Sequence, residues 1–112
     1  QRGLGVHNSC KSGVSGFTRN LAHEVASRGV NVLGVAPGIM IKPEMIEYLT
    51  NPTTPAQLAG RGAILEAITT QVQLGRASLP EEAANMVAFL ATEAADYLCG
   101  QTIDVAGGQW MN

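Results

Sequence analysis

The apolar positions near the start of the chain recur at helical spacing and predict one long helix over residues 8–28. Arg28 and Gly29 predict its end, because a cation suits the last turn and glycine readily takes a left-handed cap. We therefore expect the helix to turn one apolar stripe toward the rest of the fold. The stripe consists of Val14, Phe17, Leu21 and Val25.

Two glycines lie within this predicted helix, at Gly13 and Gly16. Each costs roughly 1 kcal/mol relative to alanine in a helix interior. Close approach of another helix or of a cofactor would compensate, and simple packing of the helix on a strand is the alternative. The sequence leaves both explanations open.

The next residues are β-branched and nearly uncharged, and they predict a core strand over residues 30–35 that is covered on both faces. The strand should stop at Pro37 and Gly38, which interrupt regular structure. In an open parallel sheet, ligands bind at the carboxyl ends of the strands. This break therefore predicts a nearby cofactor or substrate site, although it does not identify the ligand.

Two short helices are predicted next, over residues 42–49 and 56–73, separated by a proline-rich break at residues 51–55. Pro43 falls in the first turn of the first helix, where its missing N–H is tolerated. We interpret residues 39–75 as a helical insertion that acts as a mobile substrate lid, since closure excludes water from the reaction. An ordinary helical excursion is the alternative. The apolar side of the second helix consists of Ile64, Leu65, Ile68 and Val72.

The last third of the chain predicts a helix over residues 79–93 and a strand over residues 102–106. Residues 78–81 have the spacing of a capping box that would begin the helix. This helix is apolar around most of its circumference, so we expect it to be buried on more than one side. The apolar end at Trp110 and Met111 lies either in the core or in an interface.

Composition limits the classes of protein to consider. The chain has 112 residues, of which 46% are hydrophobic and 14% charged, so we expect a packed globule of at most one domain. A net charge of −2 provides no field that would attract nucleic acid or an anionic membrane, and we predict neither as a partner. Cys10 and Cys99 are too few for a disulfide framework, which favours reduced thiols in the cytoplasm. We assign no metal site.

Two stretches of the chain carry family motifs. Lys11 follows His7 by four residues and continues as SGVSGFTRNLAHEVASRGVNVLGVAPG, and the tail reads LGRASLPEEAANMVAFLATEAADYLCGQTIDVAGGQWMN. The first resembles the segment of the short-chain dehydrogenase/reductase family that begins Tyr-x-x-x-Lys and ends at Pro-Gly. The second is similar to the family's closing pattern of Gly-Arg, Pro-Glu-Glu, a helix, Gly-Gln and a last strand ending in Gly-Gly. The resemblance covers essentially the whole chain in the right order.

The resemblance implies an α/β fold, namely the C-terminal part of a doubly wound Rossmann-type parallel sheet with a small helical lid insertion. An N-terminal dinucleotide-binding half, with the Gly-rich phosphate turn and the catalytic serine, would precede it in a larger protein. The implied cofactor is NAD or NADP. Family members commonly form tetramers, which implies a homo-oligomer built through the last helix and strand.

The resemblance also assigns two catalytic positions, Lys11 and His7. In the family, a tyrosine moves the hydroxyl proton while the lysine lowers its pKa and holds the nicotinamide ribose. Lys11 matches this lysine, but His7 stands where the tyrosine is expected. Free tyrosine has a pKa of about 10 and free histidine about 6.5, and a positioned acid or base is worth about 10²–10⁴ in rate. We interpret His7 as a weakened or repurposed acid/base; a working histidine or an altered residue are the alternatives.

The segment after the strand matches the family's cofactor and substrate contacts. Pro37, Gly38 and Ile39 correspond to the backbone contact with the nicotinamide carboxamide. A threonine often follows in the family, whereas residues 40–43 here carry no hydroxyl. Lys42 at the entrance of the lid would pair with a phosphate on the substrate, or it is an ordinary solvated lysine. The lid residues implied in this way are Met40, Lys42 and Met45.

The function implied is an NAD(P)-dependent oxidoreductase that interconverts a secondary alcohol and its ketone by hydride transfer. The motifs look most like the sugar-alcohol branch of the family, which includes sorbitol-6-phosphate 2-dehydrogenase and acetoin/butanediol dehydrogenases, and this implies polyol metabolism. The substrate would be a polyol, a sugar alcohol or a hydroxyketone. The alternative is a non-catalytic half-domain that serves as a structural or oligomerisation partner.

Overall fold

The computed structural model describes residues 4–110, which form helices and a small parallel sheet. The chain divides into two compact units. The first unit combines the residues up to Ala36 with Val87–Ile103, and the second combines Pro37–Met86 with the residues from Asp104 onward. The elements are α1 (Gly5–Val25), β1 (Gly34–Pro37), α2 (Pro43–Thr50), α3 (Pro55–Gln71), α4 (Pro80–Leu90) and β2 (Thr102–Val105).

Helix α1 buries a different face from the one that its apolar residues predict. Thr18 and Ala22 are buried, whereas Val14 is exposed and Phe17 is 65% exposed. Small side chains carry the close contact here: a Cβ placed on Gly100 would lie 3.2 Å from the Cβ of Ala22. The N-terminal half of the predicted stripe was therefore wrong, because hydropathy does not reveal where a helix needs small residues to pack closely.

The end of this first helical segment is confirmed. A short 3₁₀ turn over Ala26–Arg28 follows α1, and Gly29 caps it with a left-handed φ of 79°. The side-chain amide of Asn31 then donates to the carbonyl of Leu98, which holds the chain before β1 to the segment before β2.

Strand β1 starts later and is less buried than expected. It spans Gly34–Pro37 rather than residues 30–35, and Val30 is exposed. The strand residues are half-buried up to Ala36 and exposed at Pro37, so the predicted coverage of both faces was wrong. Within the described residues, β1 has one hydrogen-bonded neighbour, β2. Burial on both faces requires layers of structure above and below a sheet, and an apolar run does not show whether they are present.

The two strands run parallel. The Gly34 N–H donates to the Gln101 carbonyl at 2.8 Å, and the Gly38 N–H donates to the Val105 carbonyl at 3.0 Å. Both partners advance by the same number of residues in the same direction, which is the register of a parallel pair. Strand β2 ends one residue before the predicted strand.

The helical insertion contains the two predicted helices, α2 and α3, which contact each other. A capping box that the sequence analysis missed begins α3: the Thr54 hydroxyl accepts from the Gln57 N–H, and the Gln57 side chain accepts from the Thr54 N–H, both at 3.2 Å. Leu65 is exposed, contrary to its predicted place on the apolar side. Val72 is buried, but it lies just beyond the last residue of α3.

The carboxylate that caps the N-terminus of α4 differs from the predicted one. The Ser78 hydroxyl donates to the Ile39 carbonyl at 3.2 Å, and Glu82 rather than Glu81 accepts the Leu79 N–H at 2.9 Å. The predicted capping box at residues 78–81 was therefore wrong, since the serine is engaged elsewhere.

The remaining expectations about the C-terminal part of the chain concern burial. No residue of α4 is buried, so burial on more than one side was also wrong. Trp110 is 51% exposed and does not lie in the core, and Met111 lies outside the described residues. Within residues 4–110, no helix is long and apolar enough to cross a membrane.

Candidate active site

The Pro-Gly loop, residues 37–40, lies against the turn that follows β2. A Cβ placed on Gly38 would lie 2.8 Å from the Cα of Ala106 and 2.9 Å from Oε1 of Gln109. Contacts this short are not found around real Cβ atoms, so only glycine lets the two backbones approach in this way. The glycine that the sequence singled out as a break is therefore also a point of close packing.

The peptide groups of Ile39 are held from two directions. The Ile39 N–H donates to Oε1 of Gln109 at 3.1 Å. The Ile39 carbonyl accepts from the Ser78 N–H at 2.8 Å, and Ser78 forms a parallel bridge with Met40. The loop therefore has a fixed backbone, and its Ile39 N–H already binds the oxygen of a carboxamide.

Gln109 had no assigned role in the sequence analysis. Its Nε2 donates to Oε1 of Gln71 at 3.2 Å, so its carboxamide connects the Pro-Gly loop with the end of α3. The sequence feature that could have pointed to Gln109 is its position directly after Gly107 and Gly108, whose φ angles of 58° and 79° form a tight turn.

The three lid residues occupy the start of the helical insertion. Met40 and Met45 are half-buried, and Lys42 is exposed. The Lys42 carbonyl accepts the Met45 N–H at 2.9 Å, directly before α2. In the part of the chain that the structure describes, the Lys42 side chain forms no ion pair. It is therefore free to meet a charged group on a substrate or to remain solvated.

His7 and Lys11 lie one turn apart on α1, on the same face of the helix and both exposed. Neither side chain forms a hydrogen bond or an ion pair with any residue between 4 and 110. The structure thus brings these two residues together in the first unit, while Pro37, Gly38 and Ile39 are consecutive at the start of the second. Their catalytic and cofactor-binding roles stay predictions.

Gly13 and Gly16 of the same helix are not explained by packing against any described residue. A Cβ placed on either one would have nothing within 4 Å outside the helix's own nearby backbone. The alternative of simple packing against a strand was therefore wrong for residues 4–110. Close approach of another helix or of a cofactor stays a prediction.

An ion pair that the sequence analysis did not assign joins Arg76, before α4, to Glu82 in the first turn of α4. Arg76 contacts Glu82 through two bonds, Nη2 to Oε1 at 2.6 Å and Nη1 to Oε2 at 2.8 Å. The hydrogen bond from Arg76, supported by the Leu79 N–H, lowers the pKa of Glu82 to about 2, and the same bond raises the pKa of Arg76. The sequence feature that could have indicated this ion pair is the Gly-Arg and Pro-Glu-Glu motifs, which were interpreted only as family markers.

The ion pair borders a cavity of about 220 Å³ within the second unit. Its walls are mostly apolar, and Asp104 is a further acidic residue in its lining. No group of three histidine, cysteine or carboxylate side chains among the described residues is arranged to hold a metal ion. The other lining residues are Ile39, Val72, Leu74, Ser78, Met86, Val105, Ala106 and Gly107.

Comparison with known proteins decides the family. A family model described as enoyl-(acyl carrier protein) reductase matches residues 2–109. The chain belongs to the short-chain dehydrogenase/reductase family. It is 42% identical over 109 residues to a 3-oxoacyl-(acyl-carrier-protein) reductase of Rickettsia felis, covering 96% of this chain and 40% of that protein. It is 43% identical over 108 residues to an (S)-acetoin-forming diacetyl reductase of Staphylococcus aureus, covering 95% of this chain and 41% of that protein.

Solved structures confirm the fold class of this short-chain dehydrogenase/reductase. L-sorbose reductase from Gluconobacter frateurii, complexed with NADPH and L-sorbose, matches with a TM-score of 0.81 at 27% identity, over 96% of this chain and 41% of that one. A putative 2-deoxy-D-gluconate 3-dehydrogenase from Agrobacterium tumefaciens with bound NADP matches with a TM-score of 0.70 at 37% identity, over 90% and 37%. The fold is therefore α/β of the Rossmann type, and the chain spans about two fifths of the length of these relatives.

Proposed function

We propose that the protein is an NAD(P)-dependent oxidoreductase that interconverts a secondary alcohol and its ketone. The observation that carries the proposal is the family match over residues 2–109. In our proposal, Lys11 is the family lysine. Its ammonium group forms no hydrogen bond or ion pair with a described residue and is free to bind a ligand. The proposal is tested by incubating the protein with NADH or NADPH and a ketone, and measuring loss of the reduced nicotinamide.

The residues fit a nicotinamide cofactor at Lys11, whose side chain forms no ion pair or hydrogen bond with a described residue. The Ile39 N–H already donates to the carboxamide oxygen of Gln109 at 3.1 Å, so the cofactor would lie against the loop without taking this hydrogen bond. When bound, the cofactor supplies or accepts the hydride. Lys11 would hold its ribose, while Pro37 and Gly38 set the course of the loop that presents Ile39.

His7 would handle the proton of the substrate hydroxyl. A neutral imidazole accepts that proton during alcohol oxidation, whereas ketone reduction requires an imidazolium that donates it. Imidazole is also shorter than phenol, so its nitrogen would lie farther from a substrate positioned for tyrosine. We therefore propose a slow enzyme whose rate is limited by proton transfer at His7.

A small polyol, sugar alcohol or hydroxyketone is the proposed substrate. Support comes from the relatives, whose names specify diacetyl, L-sorbose and 2-deoxy-D-gluconate. The 3-oxoacyl-(acyl-carrier-protein) reductase represents a different class, a long acyl thioester. Comparing acetoin, sorbose and a 3-oxoacyl thioester as substrates at equal concentration distinguishes the two classes.

The helical insertion would close over this substrate. Met40 and Met45, both half-buried, provide apolar surface near the loop, and the exposed Lys42 would meet a phosphate or other anion on the substrate. Closure would exclude water from hydride transfer. Protection of residues 39–75 from proteolysis on adding cofactor and substrate together would support a lid, and unchanged cleavage would support an ordinary helical excursion.

We also propose a cytoplasmic homo-oligomer, with a tetramer assembled through α4 and β2. The exposed apolar side chains of Val87 and Phe89 on α4 suit such an interface. Light scattering on the purified protein gives the number of subunits, and Phe89→Glu should lower it. The cytoplasmic location follows from the cysteine content alone and is tested by cell fractionation.

A second candidate is a non-catalytic member of the family that serves as a structural or oligomerisation partner. The observation that favours it is His7, four residues before Lys11, where the Tyr-x-x-x-Lys motif that this segment resembles has a tyrosine. Such a protein would assemble but leave the fluorescence of NADH and NADPH unchanged. The enzyme would bind at least one of the two nicotinamides and alter its fluorescence.

A further inference from the structure

One side-chain carboxamide connects three separate segments of the second unit. Gln109, in the turn after β2, accepts the Ile39 N–H through Oε1 at 3.1 Å and donates from Nε2 to Gln71 at 3.2 Å. Ile39 belongs to the Pro-Gly loop, and Gln71 is the last residue of α3. Both halves of the amide are therefore in use, one by the backbone of the loop and one by the helical insertion.

The turn that carries Gln109 is fixed against the end of α3. Gly107 takes a φ of 58°, and a Cβ placed on it would lie 2.9 Å from Cγ1 of Val72. The Gly107 carbonyl accepts the Leu74 N–H at 3.0 Å, and the Gln109 N–H donates to Ala106 at 2.9 Å. The backbone from which the Gln109 side chain projects is thus held in place by packing and by hydrogen bonds.

The loop accommodates this side chain because residue 38 is glycine. A Cβ on Gly38 would lie 2.9 Å from Oε1 of Gln109, so a larger residue would push the carboxamide away from this position. Gln109 and Ile39 are both half-buried, so water is partly excluded from their hydrogen bond. Loss of the carboxamide would leave the Ile39 N–H without its partner, and such a group is costly to bury.

We propose that Gln109 is a positioning residue that holds the Ile39 peptide and the end of α3 in one arrangement, so that the Pro-Gly loop and the helical insertion change position together. The catalytic consequence rests on the proposed function, in which the loop lies against the cofactor and the insertion covers the substrate. The Gln109 clamp, formed by the hydrogen bonds of Gln109 to Ile39 and Gln71, sets the geometry of the site and does not take part in proton transfer. Its loss should therefore raise KM for the ketone while kcat changes little.

The test compares hydrogen exchange in the protein without ligands for the wild type, Gln109→Met and Gln109→Glu. Methionine keeps the length of the side chain but removes both hydrogen bonds. We expect exchange at Ile39 to become roughly fivefold faster, the effect of one net hydrogen bond. Glutamate retains an acceptor oxygen and should restore slow exchange at Ile39. Gln101→Met is the matched control, since the side chain of that exposed glutamine donates to the nearby Cys99 carbonyl at 3.4 Å and its bond to β1 is made by the main chain, which the substitution keeps.

Faster exchange at Ile39 and in the last turn of α3, with α4 unchanged, supports the clamp. Equal exchange at Ile39 in the wild type and Gln109→Met overturns it, as does a uniform increase across all helices, which indicates general destabilisation. If Gln109→Met does not fold, Gln71→Met removes the acceptor of the Gln109 Nε2 bond and should increase exchange at the end of α3; no change there overturns the clamp.

Kinetics form a separate part of the test. In an active enzyme, Gln109→Met should raise KM for the ketone about fivefold, with kcat within about twofold. An unchanged KM limits Gln109 to a structural role and overturns its positioning role. A wild type without activity refutes the proposed function, while the exchange data still decide whether Gln109 holds the loop and the helix together.

Discussion

Arg76 and Glu82 form a two-bonded ion pair across the loop before α4, and Glu82 also accepts the Leu79 N–H at 2.9 Å. One carboxylate thus holds a side chain and the first turn of a helix. Both partners are substantially exposed, at 58% and 36% of their side-chain surfaces. The contribution of the ion pair to stability is therefore best measured through the pH dependence of the free energy of unfolding, because that dependence follows the titration of Glu82.

The first prediction concerns acid stability. The pKa of Glu82 is lowered from 4.5 to about 2, so its contribution to the free energy of unfolding is fully present above pH 4.5 and lost as the pH falls through 2. Glu82→Gln should lower the urea midpoint at pH 6, and the difference from the wild type should shrink toward pH 2. Glu81→Gln, an adjacent exposed residue, is the control. An identical acid profile for Glu82→Gln and the wild type would contradict the prediction.

The second prediction concerns the acid/base position. His7→Tyr should raise kcat for ketone reduction by about 10²-fold or more, because it restores a positioned phenol beside Lys11. His23→Tyr, on an exposed part of the same helix, makes the same chemical change away from the proposed site and should leave kcat unchanged. If His7→Tyr binds NADH normally but reacts no faster, His7 does not occupy the acid/base position.

The third prediction concerns the two lysines of the chain. Lys11→Ala should weaken binding of NADH or NADPH about tenfold or more, the usual value of a hydrogen bond to a charged group. Lys42→Ala removes the other lysine and should leave cofactor affinity unchanged, since Lys42 lies at the start of the helical insertion. Fluorescence titration measures both. Equal affinity of the wild type and Lys11→Ala would remove Lys11 from the cofactor site.

The fourth prediction contrasts two glycines. Gly38→Ala should lower the free energy of unfolding by about 1–3 kcal/mol, because its Cβ would lie 2.8 Å from the Cα of Ala106. Gly62→Ala, in the exposed interior of α3 with nothing within 4 Å, should raise it by up to about 1 kcal/mol. Urea unfolding of both variants gives the two values. If Gly38→Ala leaves the free energy of unfolding unchanged, the loop does not pack closely against the turn after β2.

Much of the local structure could be predicted from the sequence. Helical spacing, Pro43 in a first turn and the cap at Gly29 located α1 to α3, since these signals act over a few residues. The buried face of α1 could not be predicted in this way. Thr18 and Ala22 are buried because a small surface was needed there, and a hydropathy pattern favours Phe17 instead.

The candidate site was predictable only in part, for a similar reason. Pro37 and Gly38 were recognisable as a break after a strand, and the spacing of His7 and Lys11 placed them on one turn. The hydrogen bond between Gln109 and Ile39 joins residues 70 positions apart, which no local pattern encodes. The pairing of Arg76 with Glu82 had a motif as its signal but no physical reason until the loop between them was seen.

The central claim is hydride transfer between a nicotinamide and a ketone, and isotope transfer tests it most directly. The protein is incubated with acetoin or sorbose and reduced nicotinamide carrying deuterium at the transferable C4 position, and the product alcohol is analysed by mass spectrometry. We predict that the product contains one deuterium atom, formed slowly by the wild type and faster by His7→Tyr. A product without deuterium, or no product from either protein, would contradict the assignment as an oxidoreductase.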